Sequence, residues 1–106
     1  MCAPVKGEKM LIKAGVDISR LRPEIRRKLR KIAQTVWACD NQELVITSTY
    51  EGNHNESSLH YVNLAIDIRA DKAMSYSFKE IKRLLGADYD VIQEADHIHI
   101  EYDPKA

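Results

Sequence analysis

The chain has no charge excess of either sign, because sixteen basic and sixteen acidic residues cancel. That removes a general electrostatic hold on nucleic acid or on an anionic membrane. Cysteine is scarce. Cys2 and Cys39 are too few and too unevenly placed for a disulfide framework, and neither belongs to a Cys-x-x-Cys pair, so a thiolate zinc site is not expected. No apolar run approaches the ~20 residues needed to span a bilayer, so membrane insertion is not expected. The opening MCAPVKGEKM lacks the apolar stretch of a secretory signal, and cytoplasmic synthesis is the expectation. With four glycines and three prolines there is no low-complexity tract, repeat or linker, and 106 residues suit one modest core.

Patterning fills that core. Residues 1–9 read as a flexible tail, residues 10–13 as a short strand and Ala14-Gly15 as a turn. Pro23 suits the first turn of a helix. Behind it Ile25, Leu29, Ile32, Ala33, Val36 and Trp37 form a stripe of period 3.6, and Cys39-Asp40-Asn41 closes it. Arg26, Arg27, Lys28, Arg30 and Lys31 occupy its other faces. They read as a solvated exterior, since no aromatic residues interleave them. Residues 44–48 (LVITS) are a β-branched strand, residues 49–58 a polar loop, and residues 64–69 alternate, with Leu64, Ile66 and Ile68 opposite Ala65 and Asp67. Ser77 to Glu80 has capping-box spacing ahead of a second helix, with Phe78, Ile81, Leu84 and Leu85 inward and Gly86 as its stop.

Histidine placement carries the chemistry. Residues 58–67 (SLHYVNLAID) hold an imidazole and a carboxylate seven apart, and residues 94–101 (EADHIHIE) hold two imidazoles flanked by acids. If Ala95-Asp96 is a two-residue hairpin loop, Glu94 pairs with His97, Ile92 with His99 and Asp90 with Glu101. One face then carries Glu94, His97, His99 and Glu101, and the other Val91, Ile98 and Ile100. A separation of seven would set His60 and Asp67 on opposite faces of an unbroken strand. The backbone must turn between them, and Asn63, tolerant of positive φ, is the candidate pivot. A catalytic zinc takes three His or carboxylate ligands and keeps a position for water. His60, Asp67 and one of His97 or His99 could supply them. His54, alone in a polar loop, is ordinarily solvated.

The segment Ser58-x-His60-x-x-Asn63-x-Ala65-x-Asp67 resembles the S-x-H-x-x-G-x-A-x-D signature of the zinc D-Ala-D-Ala carboxypeptidase family, which includes dipeptidases and phage endolysin peptidases. Within that superfamily the wording GNHNESSLHY and HIH is similar to the Hedgehog signalling domain. The resemblance runs over residues 45–101. It implies zinc held by His60, Asp67 and His99, the last preferred because Glu101 follows it by two. It further implies Glu94 as general base, His97 as a transition-state partner, and His54, Ser58 and Tyr50 around the substrate or behind the ligands. Three departures stand out: Asn63 replaces the signature glycine, Ser48-Thr49-Tyr50-Glu51 has an acid where the peptidases carry arginine, and Glu94 precedes His97 by three residues and His99 by five.

The expected fold is a single α+β domain, a small, mainly antiparallel sheet with two helices on one face and a zinc cleft on the other. The expected function is a monomeric zinc metallopeptidase acting on D-amino-acid bonds in peptidoglycan peptides, phage-associated or released to reach the cell wall. The alternative is a Hedgehog-like binding domain or a virion structural module with little hydrolysis.

Overall fold

Isoleucine spacing decides the sheet. The computed structural model describes residues 10–50, 63–70 and 75–104. Five strands form one mixed sheet in the order β1-β2-β3-β5-β4: β1 (Met10–Ile12), β2 (Leu44–Ser48), β3 (Ala65–Arg69), β4 (Tyr89–Gln93) and β5 (His97–Tyr102). β1 runs parallel to β2, and the remaining pairs are antiparallel. Across the central ladder Ile66 meets Ile100 and Ile68 meets Ile98, and on the outer side Val91 meets Ile100. These four isoleucines have no exposed surface. Each contributes roughly 1.5–3 kcal/mol by leaving water. Since alternate residues point to opposite faces, burying this set sends Asp67, Arg69, His97, His99 and Glu101 to the other face.

The helices cover the apolar face. The expected single helix is divided into α1 (Pro23–Arg26) and α2 (Leu29–Asp40). The break falls where the Lys28 N–H bonds to the carbonyl of Ile25, three residues back, which tightens the turn locally. The apolar stripe still packs: Ile25, Leu29, Ile32, Ala33 and Val36 join Ile46, Ile66, Ile68, Ile98 and Ile100 in one core. Asn41 closes α2 in the left-handed conformation (φ 52°), and its N–H bonds to Trp37 O. Cys39 is disulfide-bonded, which removes its thiol from any metal chemistry, and Cys2 lies outside the described residues. No described helix is long and apolar enough to cross a membrane.

The third helix, α3 (Ser75–Leu85), starts earlier than expected and is capped differently. Ser77 does not pair with Glu80 in a capping box. Its N–H (2.9 Å) and hydroxyl both donate to the Asp40 carboxylate, and Glu80 instead accepts from Arg83. Sequence spacing sees only local partners, whereas α2 brings its terminal acid to the open N–H groups of α3. That carboxylate opposes the dipole of its own helix but favours that of the next. Ser77 is completely buried, so the bonds to Asp40 satisfy groups that water cannot reach. Asp40→Ala is expected to cost about 1–3 kcal/mol of unfolding free energy. Urea denaturation checks this, and a loss under about 0.5 kcal/mol would remove the helix-to-helix cap from the account.

Candidate metal centre

Strand register sets Asp67 beside His99. Asp67 on β3 lies directly opposite His99 on β5, and Arg69 lies opposite His97. Beyond them Ile92 faces His99 and Asp90 faces Glu101, as a two-residue hairpin loop requires. The Glu94 N–H donates to His97 O at 2.8 Å, closing that hairpin. On the other side of Asp67 the ladder is irregular. Ile46 pairs with Ile68 but Ser48 pairs with Asp67, so β2 spends one extra residue, Thr47, beside the acid. Such a bulge re-aims side chains next to it. Thr47 Oγ1 also donates to the Asp67 carbonyl at 3.3 Å.

The side chains form a connected set. His99 Nδ1 lies 2.9 Å from Asp67 Oδ1, and its Nε2 lies 2.6 Å from Glu101 Oε1. His97 turns Nε2 toward the same Asp67 oxygen at 3.9 Å, while its Nδ1 is 2.8 Å from Asp96 Oδ1. Burial opposes a charge on His99, but the bonds to Asp67 and Glu101, helped by their negative charge, outweigh it and raise its pKa. Asp96 is held below the usual carboxylate range by its bond to His97 and that ring's charge. Lys13, Thr47, Asp67, Arg69, Ala70, Asp96 and His97 line a cleft of about 490 Å³.

Asp67 and His99 are two donors of the kinds that zinc accepts. Ligand distances near 2.0–2.2 Å put two tetrahedral donors about 3.3 Å apart. Asp67 Oδ1 and His99 Nδ1 come within a few tenths of an ångström of that spacing. A different group, Asp90, Glu101 and Asp103, brings carboxylate oxygens within 4.8 Å of one another. An all-oxygen set of that kind suits hard cations such as calcium better than zinc.

The other expected site residues divide into two groups. His54, Ser58 and His60 lie outside the described residues, so their meeting with Asp67 is not described. Asn63, the expected pivot, does adopt positive φ (63°). Glu94 is exposed at the hairpin. Tyr50 is tied to the turn before α1: its hydroxyl donates to Asp17 Oδ2 at 3.2 Å, and Arg20 sits 4.8 Å over its ring. In the sequence alone Glu101 has no ligand-positioning role, and Lys13, Thr47, Arg69 and Asp96 have no chemical one. Alternation could have placed Arg69 on the polar face, whereas Lys13 arrives only through the parallel pairing of β1. Neither a protein-family model nor a curated protein sequence matches this chain.

The raised pKa of His99 has a sign that can be checked on metal-free protein. Its folded pKa lies above the unfolded value of about 6.5. The bonds therefore stabilise the fold fully below that pH, and the contribution disappears as pH rises through the folded pKa. Urea denaturation in chelator should show stability falling above pH ~6.5, and His99→Gln should remove that part of the fall. Superposable pH profiles for the two proteins would contradict the assigned bonds.

Proposed function

We propose that the chain is a zinc metallopeptidase that hydrolyses a bond involving a D-amino acid in peptidoglycan peptides. One observation carries the reading: Asp67 and His99, both named by the motif resemblance, oppose each other across two strands at 2.9 Å on the face away from the core. His60, Asp67 and His99 would hold the metal. His99 would use Nδ1, the nitrogen that faces Asp67, and keep its Nε2 proton for Glu101. A carboxylate behind a ligating imidazole fixes its tautomer and orientation. A bound zinc supplies Lewis acidity toward a peptide carbonyl and toward water.

The remaining roles belong to the hairpin. Glu94 would take a proton from the attacking water and deliver it to the departing amine nitrogen. His97, whose Nε2 points to the Asp67 side, would donate to the oxygen that gains charge. Its bond to Asp96 through Nδ1 would hold the ring in that orientation. A monomer acting on the cell wall, phage-associated or released, completes the proposal.

Metal analysis should find one zinc per chain, and the protein should release new amino groups from purified peptidoglycan unless chelator is present. Glu94→Ala should lower the rate by about 100-fold or more with zinc retained. Intact muropeptides in the presence of bound zinc would point instead to a Hedgehog-like binding domain. Protein that holds no zinc and takes up none would end the reading. A separate titration addresses Glu101: Glu101→Ala should weaken zinc about 10–100-fold, and unchanged affinity would remove it from behind His99.

A further inference from the structure

Among the described residues β4 pairs only with β5, at the end of the sheet. The Glu94 N–H bonds to His97 O, so these two residues form a hydrogen-bonded pair. Such pairs alternate along an antiparallel ladder. Ile92 and Asp90 therefore also commit their backbone groups to β5, at His99 and Glu101. Val91 and Gln93 turn their N–H and C=O groups outward. A row of such groups is a template for another strand, and natural edges commonly guard against it with lysine, proline or a bulge. β4 (YDVIQ) has no lysine or proline, and its register with β5 runs unbroken. We propose that this edge takes up an extended segment of a partner protein as a sixth strand, with a cation, an apolar residue and a second cation at alternate positions.

The side chains along the edge select that occupant. Asp90, Ile92 and Glu94 share the face that carries His99 and Glu101, because opposed residues point the same way. Ile92 is apolar yet 47% exposed, a contact for an apolar side chain directly across from it. Acids stand on either side. Asp90, Glu101 and Asp103 bring carboxylate oxygens within 4.8 Å of one another, and like charges that close favour an added cation. Glu94, exposed beyond Ile92, offers a further carboxylate. An added strand lies about 4.8 Å from β4, so its side chains meet Asp90, Ile92 and Glu94 one to one. Opposite charges across a strand pair stabilise it and like charges destabilise it. A second copy of β4 is thereby a poor occupant. Antiparallel pairing centred on Val91 sets Asp88 opposite Glu94, and centring on Ile92 sets Asp90 opposite Glu94. In this mode of recognition main-chain bonds supply affinity and alternate side chains choose the partner. The inference stands apart from the peptidase reading, since it needs neither metal nor turnover.

The test uses the full chain in chelator and the peptide acetyl-Thr-Lys-Thr-Val-Thr-Lys-Thr-amide, labelled for fluorescence anisotropy. Hydrogen exchange of backbone amides locates the contact. The peptide should bind, and exchange at the Val91 and Gln93 amides should slow by about tenfold. A version with Glu in place of both Lys should bind about tenfold more weakly or worse. Asp90→Lys should erase that preference. Ile92→Thr, which keeps a β-branched residue on the strand, should weaken the parent peptide by about threefold with Tm unchanged. A peptide N-methylated at the two Thr beside Val keeps its charge but loses the donors that would face Val91 and Gln93, and it should protect neither amide. Failure of the parent peptide to bind at about 1 mM, or equal affinity for the Lys and Glu versions, overturns the proposal. Undiminished binding of the methylated peptide would reduce the edge to a charged patch and overturn the added strand. Protection of Val91 and Gln93 that grows with protein concentration, without peptide, would assign the edge to a second copy and overturn the partner.

Discussion

The register between β3 and β5 is the constraint on which the rest depends. Ile66, Ile68, Ile98 and Ile100 meet in pairs and are wholly buried. A slip of one residue would expose all four and drive Asp67 and His99 into the core. At roughly 1.5–3 kcal/mol for each isoleucine, such a slip costs about as much as a domain of this size has in total stability. The alignment of Asp67 with His99 is therefore a by-product of hydrophobic burial. No polar contact has to be strong enough to impose it. The polar groups are free to be arranged for chemistry because the apolar ones hold the backbone.

Glu101 stands at a branch in that arrangement. It accepts from His99 Nε2, and it also belongs to the oxygen cluster with Asp90 and Asp103. A cation drawn into that cluster would compete with the imidazole for the same carboxylate. The bond to His99 at 2.6 Å favours the ring as its partner when the ring is charged. Thr47 and the irregular pairing of β2 shape the other side of Asp67. The acid is thus bracketed by a bulge on one strand and a histidine on the next. Strand ladders alone would leave it less well oriented.

Much of this was legible in the order of residues. The alternation of residues 64–69 and of the hairpin separated the two faces, because a half-buried strand must obey period two. At Asn63 the residue type pointed to a positive φ, and its φ of 63° is the kind of conformation Asn accepts. The misses share a different cause. Asp40 caps α3 from another helix, Lys13 reaches the cleft through a parallel pairing, and Thr47 is an extra residue in a ladder. Each depends on which elements become neighbours, and local spacing holds no record of that. Lys28 closes a tight turn inside what reads as one helix, because the apolar stripe continues across the break without losing its face.

The bonding of His99 also bears on how a metal could enter. When charged, the ring donates through both nitrogens, to Asp67 on one side and Glu101 on the other. Losing the Nδ1 proton leaves a nitrogen lone pair aimed at the Asp67 oxygen, with Nε2 still bonded to Glu101. Asp67 and His99 would hold a divalent ion from this side of the ring, and such an ion would supply positive charge in place of that proton. Two acids beside one imidazole favour that exchange, since they leave a negative excess when the ring is neutral. Metal and proton would thus compete for one edge of the imidazole, while its other edge stays anchored to the scaffold.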